Sequence, residues 1–104
     1  MAPSPLDISR MRSAAIEATA MLKTLANEDR LLLLCQLSQG EKSVGELESL
    51  LDVHQPTLSQ QLGVLRSQGF VKTSRDGKRI FYSIADQNVL TILDVLYKIY
   101  CAQP

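Results

Sequence analysis

The chain has 104 residues, of which 45% are hydrophobic and 21% are charged, as is typical of one small globular domain. This composition excludes a wholly disordered chain, a collagen-like repeat and a disulfide-dense miniprotein. The 11 basic and 11 acidic side chains give no net charge, so a nucleic-acid-binding surface would have to arise from an uneven distribution of charge. No apolar run approaches the roughly 20 residues that span a bilayer, and we therefore expect a cytoplasmic protein that does not enter a membrane.

The N-terminal part of the chain predicts an arm followed by a helix. Residues 1–10 contain two prolines and few apolar side chains, and we expect them to form a flexible arm. The remainder, residues 11–104, is expected to form a single domain. Apolar side chains recur at helical spacing from about Ile8 to Ala26, so the first helix is expected to follow directly from the arm.

Four further helices are indicated by caps and by apolar periodicity. Asn27 is a suitable N-cap for a second helix that is apolar on nearly every side, which predicts a central place in the core. Ser43 and Glu46 have the spacing of a capping box at the start of a short third helix. Pro56 fits the first turn of a fourth helix, and Asp86 is a suitable cap for the last one.

A change of periodicity after the fourth helix predicts a β-hairpin. Runs of β-prone residues at 70–75 and 79–84 flank Asp76 and Gly77, and Asp-Gly between such runs is a strong hairpin signal. The predicted fold is therefore mainly α-helical with a small β-hairpin between the fourth and fifth helices. In this interpretation the third and fourth helices form a helix-turn-helix, and the hairpin is its wing.

The basic excess of the chain lies in the predicted helix-turn-helix and wing, where residues 52–82 contain five basic and two acidic side chains. Three of the cations surround the hairpin turn, and polar side chains that can contact bases or phosphates lie near the start of the fourth helix. The candidate DNA-contacting residues are His54, Gln55, Thr57, Ser59, Gln60, Gln61, Arg66, Arg75, Lys78 and Arg79. The alternative interpretation is an ordinary solvated helix face beside a turn.

The two cysteines, Cys35 and Cys101, are far apart in sequence. In a reducing compartment a structural disulfide is not expected, which leaves two small buried hydrophobic residues or a regulatory pair of thiols. A disulfide requires Cα atoms about 4.4–6.8 Å apart, a distance that the sequence does not give. Because Cys35 lies among leucines and Cys101 lies near the end of the chain, we expect Cys101 to be the more exposed thiol.

Several stretches of the sequence resemble the ArsR family of bacterial winged-helix repressors. The matching stretches are Leu22 to Leu31, Ser43-Val44-Gly45-Glu46-Leu47, Gln55 to Arg66 (QPTLSQQLGVLR) and Arg79-Ile80-Phe81-Tyr82-Ser83-Ile84. The resemblance covers about residues 15 to 103. Within the family the chain is most similar to the BigR and SqrR branch of sulfide-responsive repressors, which includes the HlyU-like regulators and to which the ending Tyr100-Cys101 also points.

This resemblance implies a homodimer, joined by the first and last helices, that binds an inverted repeat in double-stranded operator DNA and needs no cofactor. It also implies that reactive sulfur species link Cys35 and Cys101 by a disulfide or polysulfide bridge, and that the operator is then released. We expect Cys101 to be attacked first and Cys35 to resolve the product. The dimer-interface candidates, which could also be ordinary core residues, are Met11, Ala14, Ala18, Met21, Leu93, Leu96, Tyr97 and Tyr100.

The main alternative is a metal- or metalloid-responsive repressor of the same family, because many members bind metals. The third helix has no cysteine and the last has no histidine, so the family's usual ligand sets are incomplete. His54 lies in the turn before the fourth helix, where capping or a DNA contact is expected. An enzyme is disfavoured, because no nucleophilic pair, carboxylate dyad or phosphate-binding loop is evident. A protein-interaction module stays open, since long apolar helices would serve it equally well.

Overall fold

A computed structural model describes residues 7–101 as five helices packed with a small antiparallel sheet. The elements in chain order are α1 (Ile8–Leu25), α2 (Glu28–Leu37), β1 (Lys42–Ser43), α3 (Val44–Leu50), α4 (Thr57–Ser67), β2 (Val71–Asp76), β3 (Arg79–Ile84) and α5 (Gln87–Tyr100). This order confirms the predicted fold, with α3 and α4 as the helix-turn-helix and β2 and β3 as the wing. Among the described residues, none of the helices combines the length and the apolar character of a bilayer-spanning segment.

Helix α1 begins earlier than the predicted arm allows. Its first residue is Ile8, and the Asp7 side chain accepts a hydrogen bond from the backbone N–H of Arg10 at 3.0 Å. The predicted start of the first helix at about Ile8 is confirmed, and residues 8–10 belong to this helix and not to the arm, because the Asp7 cap starts it. Residues 1–6 of the predicted arm lie outside the described residues.

The predicted caps of α2, α3 and α5 are confirmed. Asn27 accepts a hydrogen bond from the backbone N–H three residues later at 3.0 Å, and Asp86 accepts one from the N–H two residues later at 2.9 Å. Ser43 and Glu46 form both halves of a capping box. The Glu46 N–H donates to Ser43 Oγ at 3.2 Å, and the Ser43 N–H donates to Glu46 Oε1 at 2.8 Å.

The sheet contains one strand more than the predicted hairpin. Strand β1 pairs antiparallel with β3, opposite Tyr82 and Phe81, so the strand order is β1-β3-β2. The sequence analysis missed β1 because two residues are too few to produce a periodic pattern. Ser43 has the extended backbone of an N-cap residue, and this conformation also lets it pair with β3. The wing is thereby joined directly to the start of the helix-turn-helix.

The wing ends in a two-residue turn at Gly77 and Lys78, because Asp76 and Arg79 are paired across the two strands. The φ angle of Gly77 is 65°, and no non-glycine residue in the described part of the chain has a positive φ, as in a type II′ hairpin turn. The turn predicted at Asp76 and Gly77 therefore lies one residue too early. The observed register puts the cation of Lys78 at the tip of the wing.

The core is built mainly from the leucines of α2 and α4 together with single residues from the sheet and α5. The buried apolar side chains are Leu25, Leu33, Leu34, Leu37, Leu47, Val53, Leu58, Leu62, Leu65, Phe70, Val71, Val89 and Leu93. Helix α2 is not buried on every side as its composition suggested, because Leu32 and Cys35 are exposed. One side of α2 therefore remains accessible.

Candidate DNA-binding face and thiol cavity

Helix α4 is held in place by three leucines on one face. Leu58, Leu62 and Leu65 are at most 1% exposed and anchor α4 in the core against α2. Ser59 and Gln60 are exposed, whereas Thr57 is half-buried. The exposed side chains can contact base edges or phosphates without disturbing the packing of the helix.

Two of the predicted DNA-contacting glutamines make hydrogen bonds within the protein. Gln55 Oε1 accepts a hydrogen bond from the Ser59 N–H at 3.2 Å, and Gln61 Oε1 accepts one from Arg30 Nη1 at 2.9 Å. Arg30 also donates to two backbone carbonyls at the end of α1, at 2.6 and 3.3 Å. Arg30 thus fastens α4 to α1 and α2. The Arg30–Gln61 hydrogen bond could not be predicted, because no local spacing rule relates residues so far apart in the chain.

His54 lies in the turn before α4, next to two acidic side chains. Its Nε2 lies 2.8 Å from Asp52 Oδ1, and its Nδ1 lies 3.5 Å from Glu48 Oε2. Hydrogen bonding to Asp52 first and to Glu48 second raises the pKa of His54 above its ordinary value. The ring is engaged with these carboxylates, and α4 has no side-chain cap, so capping by the ring is wrong. The His54 carbonyl accepts a hydrogen bond from the Leu58 N–H at 2.9 Å.

The three cations around the wing turn differ in their surroundings. All three are exposed, and none of them forms a salt bridge with another residue of the described range 7–101. Arg79 differs from the other two because its side chain contacts the protein. Its Nη2 donates a hydrogen bond to Ser43 Oγ at 3.2 Å, and its guanidinium carbon lies 4.9 Å from the centre of the Phe81 ring. Arg75 and Lys78 are therefore the wing cations that are available to an outside partner.

Two predicted DNA-contacting arginines from different elements come together. Arg66, near the end of α4, and Arg75, on β2, line one cleft of about 330 Å³ between the helix and the wing. Thr73 and Tyr82 border the same cleft with hydroxyl groups, whereas the Ser74 hydroxyl there donates to Glu41 Oε2 at 3.0 Å. Guanidinium and hydroxyl groups are the donors that bind phosphate oxygens in protein–DNA contacts. The cleft thus has the chemistry of a phosphate contact.

Cys35 on α2 and Cys101 at the end of α5 line the same cavity, which has a volume of about 740 Å³. Both residues are exposed thiols, so the interpretation of two small buried hydrophobic residues is wrong. Although Cys35 is exposed as a residue, burial is the main cause that raises the pKa of its thiol, and the charge of the adjacent Cys101 raises it further. The fold therefore brings together two thiols that are distant in sequence.

Helices α1 and α5 carry many apolar side chains that are exposed in the single chain. The large ones are Ile8, Met11, Ile16 and Leu22 on α1, and Val95, Tyr97, Ile99 and Tyr100 on α5. Exposed apolar surface of this extent is typical of a protein–protein interface. Ile99 and Tyr100, at 63% and 75% exposure, show that the end of α5 is solvated in the monomer.

The predicted dimer-interface residues divide into exposed and internal ones. Those that are exposed are Met11, Ala14, Ala18, Tyr97 and Tyr100. Met21 and Leu96 are half-buried, and Met21 packs against the core. Leu93 is 6% exposed and belongs to the core, so its prediction as an interface residue is wrong. It lies one helical turn after the buried Val89 and therefore faces the same way.

Comparison with known proteins assigns the family. Residues 27–73 match the family model of the bacterial regulatory proteins of the arsR family. The biofilm growth-associated repressor of Agrobacterium fabrum is 52% identical to this chain, over 94% of this chain and 88% of the relative. The chain belongs to the ArsR family. The crystal structure of the transcriptional repressor BigR from Xylella fastidiosa superposes with a TM-score of 0.85 at 48% identity, over 91% of this chain and 97% of that chain.

This ArsR-family chain is also similar to the transcriptional activator HlyU of Vibrio cholerae, with 38% identity over 94% of this chain and 91% of the relative. The structure of reduced HlyU from Vibrio cholerae has a TM-score of 0.87 and 38% identity, over 91% of this chain and 100% of that chain. Since the family and these relatives are regulatory proteins, the ArsR-family chain is a regulator and not an enzyme.

A metal-responsive repressor needs three or four ligands that converge on one ion. Within residues 7–101, no three or more His, Cys, Asp or Glu side chains are grouped so that they could hold a metal ion. The two cysteines of the cavity are accompanied there by one acidic residue, Asp94. The metal-responsive alternative therefore has no ligand set in this part of the ArsR-family chain.

Proposed function

We propose that this chain is a homodimeric transcriptional repressor that binds operator DNA through α4 and the wing and is released when reactive sulfur species link Cys35 to Cys101. The observation that carries the proposal is the position of the two cysteines, from α2 and from the end of α5, at one cavity. An accessible thiol pair inside a DNA-binding regulator offers a direct way to convert a chemical signal into a change of shape.

The DNA-binding part of the proposal rests on α4 and the wing. Gln60 is exposed on α4 and has the donor and acceptor that pair with adenine in the major groove. Arg66 and Arg75 share a cleft, and Lys78 lies at the wing tip, so phosphates on either side of the groove have cationic partners. Protein–phosphate contacts of this kind fix the register of a recognition helix on the duplex.

The dimer is supported by the exposed apolar side chains of α1 and α5. A second copy of the chain would cover them, and a twofold dimer would present two α4 helices to an inverted repeat. Two recognition helices in successive major grooves must lie about 34 Å apart. Small changes in the packing of α5 would therefore alter the fit to DNA.

The chemistry of linkage balances with an organic persulfide as the oxidant. In the first step, the Cys101 thiolate attacks the outer sulfur of the persulfide, becomes a cysteine persulfide and releases the organic thiol. In the second step, the Cys35 thiolate attacks the inner sulfur of this group, which forms the disulfide and expels hydrogen sulfide. Two molecules of the organic persulfide yield a trisulfide instead, because each cysteine takes up one sulfur atom and the two persulfides then condense with loss of hydrogen sulfide.

This order of attack follows from the thiol environments. Burial raises the pKa of Cys35, which lowers the fraction of thiolate that could start the reaction. Cys101 lies at the end of α5, where the helix stops at the surface. Cys35 therefore acts as the second nucleophile. If Cys101→Ser leaves Cys35 reacting at the wild-type rate, as followed by mass spectrometry, this order is refuted.

A link between the two cysteines would act on both DNA-contacting elements. Cys35 lies on α2, and α2 holds α4 through its leucines and through the Arg30–Gln61 hydrogen bond. Cys101 ends α5, which follows the wing strand β3 after only two residues. A covalent bridge would therefore restrain the recognition helix and the wing relative to each other, and a few kcal/mol of preference for a non-binding arrangement would shift the occupancy of the operator markedly.

The test is fluorescence anisotropy with a duplex from the chain's own promoter region, before and after treatment with glutathione persulfide. We expect release of the DNA together with an intact mass two hydrogen atoms lighter, or the same species with one added sulfur atom. Digestion should give a linked peptide that contains Cys35 and Cys101. The matched controls are Cys35→Ser and Cys101→Ser, which should bind DNA and resist release. Release of either variant at the wild-type persulfide concentration would contradict the thiol switch.

The sign of regulation is tested separately with a reporter fused to the same promoter. The more similar relative is a repressor and the more distant one an activator, so we expect removal of the protein to raise expression. A fall in expression would show activation and leave the thiol chemistry to be judged by the binding assay.

A further inference from the structure

We propose that Arg79 is a positioning residue that fixes the wing to the helix-turn-helix, and that it does not contact DNA phosphate. This inference deepens the proposed DNA-binding function and rests on it. All three cations of the wing are exposed, and the proposal separates Arg79, whose side chain contacts Ser43 and Phe81, from Arg75 and Lys78. The sequence alone assigns all three to DNA.

Arg79 makes two contacts with the protein. Its Nη2 donates to Ser43 Oγ at 3.2 Å, and its guanidinium group lies 4.9 Å from the centre of the Phe81 ring. A guanidinium over an aromatic face is attracted by the ring, and its planar shape lets it donate a hydrogen bond at the same time. Arg79 is therefore engaged in two directions on the protein side.

Ser43 lies where the wing meets the start of α3. This residue is 5% exposed, caps α3 and pairs with Phe81 across β1 and β3. Its Oγ accepts hydrogen bonds both from the Glu46 N–H, at 3.2 Å, and from Arg79. The N-terminus of α3 and the second strand of the wing thus meet at one hydroxyl group. Movement of the wing against α3 would break both the strand pairing and the arginine contact.

Opposite charges from Arg79 and Glu46 act on each other at this junction. Glu46 bonds to Ser43, and these hydrogen bonds, followed by the charges of Arg79 and Lys42, lower the pKa of the Glu46 carboxyl. The charge of Arg79 is therefore partly compensated by an acid on α3. None of the three wing cations forms a salt bridge among residues 7–101, but only Arg79 combines a hydrogen bond to Ser43 with the nearby charge of Glu46. A phosphate would therefore gain more from Arg75 and Lys78 than from Arg79.

The experiment measures binding of the promoter duplex over a series of salt concentrations. Each phosphate contact contributes about one unit to the slope of log affinity against log salt. Because the proposed dimer carries each substitution twice, we expect Arg75→Gln and Lys78→Gln each to reduce the slope by about two. Arg79→Gln should weaken binding about tenfold, which is the range of a lost cation–π contact and hydrogen bond, and leave the slope unchanged. A slope reduced by about two in Arg79→Gln would overturn the proposal.

Charge-conserving variants make the same distinction in a second way. Lysine keeps the charge of arginine and loses the planar stacking and the second donor. Arg79→Lys is expected to lose about as much affinity as Arg79→Gln, whereas Arg75→Lys should stay within about twofold of wild type because a lysine can serve a phosphate. Full affinity in Arg79→Lys would show that charge alone matters at this position and would refute the positioning role.

A readout without DNA separates this proposal from the proposed function. Hydrogen exchange of the backbone amides in β1 and β3 should become faster in Arg79→Gln, because the wing is less firmly held, and stay at the wild-type rate in Lys78→Gln. Phe81→Leu, which removes the aromatic face, should reproduce the effect, and the double variant should be no worse than either single one. Unchanged exchange in Arg79→Gln would contradict the proposal even if the wild-type protein binds no duplex.

Discussion

The exposed faces of α4 and α5 differ in chemistry, although both helices are anchored in the same core. Helix α4 buries Leu58, Leu62 and Leu65 and exposes small polar side chains. Helix α5 buries only Val89 and Leu93 and exposes large apolar ones. A polar face suits hydrogen bonds to base edges, whereas an apolar face gains free energy only when another apolar surface covers it.

This difference indicates that the exposed faces of α4 and α5 suit different partners. The apolar part of α5 lies next to the thiol cavity, because Tyr97 lines that cavity and Ile99 precedes Cys101 by two residues. The leucines of α4 pack in the same core as those of α2, which carries Cys35. In the proposed switch, a bridge at the cavity would act through this core on both the contact between copies and the contact with DNA.

The largest effect is expected from a charge on the exposed apolar face of α5. Ile99→Glu places a charge on the exposed apolar face, and we expect size-exclusion chromatography with light scattering to show a monomer. Because linked binding modules gain about 100-fold or more in avidity, DNA affinity should fall by at least that factor. Leu50→Glu, at an exposed apolar residue of α3, is the matched control for the chromatography alone, because Leu50 borders a cleft lined by Lys78 and Arg79. A dimeric Ile99→Glu protein would show that this face is not the contact between copies.

Smaller effects are expected from two glutamine substitutions on α4. Gln60→Ala removes an exposed amide, and we expect it to change base discrimination at one position by about 1–3 kcal/mol, as measured with a panel of single-base operator variants. Gln61→Ala removes the acceptor of Arg30 and should instead lower the free energy of unfolding by about 1–2 kcal/mol. The base preference of Gln61→Ala should stay that of the wild type. A reversed pattern would mean that the Arg30–Gln61 hydrogen bond is exchanged for a base contact in the complex.

The smallest effect concerns the turn that precedes α4. The folded protein raises the pKa of His54, so the charged ring stabilises the fold below its unfolded pKa of about 6.5. This contribution is lost as the pH rises through the folded value. We expect wild type to exceed His54→Gln in the urea midpoint of unfolding at about pH 5.5 and the difference to shrink toward about pH 8.5. A difference that grows with pH would contradict the pairing with Asp52 and Glu48.

Local signals explain which parts of the fold could be predicted from the sequence. The caps at Asn27, Ser43 and Asp86 are predictable because a cap and its acceptor or donor lie within three residues of each other. The apolar spacing of α4 likewise reports its buried face. The order of helices and hairpin follows from such signals, and it was sufficient to indicate the winged helix-turn-helix.

Contacts between distant segments explain what the sequence could not provide. Arg79 was predicted to contact DNA and Arg30 was given no role, because their partners Ser43 and Gln61 lie more than thirty residues away in the chain. No pattern distinguishes an arginine that points to solvent from one that binds the protein. The exposure of Cys35 was hidden in the same way, because a leucine-rich helix predicts burial and only the packing of its neighbours decides which side stays open.

Each chain brings its own two cysteines to one cavity, and this sets the stoichiometry of the proposed switch. A twofold assembly would hold two such sites, and a half-modified species would then occur on the way to full modification. The steepness of the dose–response curve then depends on whether one bridge is enough to release the operator. A graded curve would indicate that each half responds alone, and a steep one that both halves must be closed.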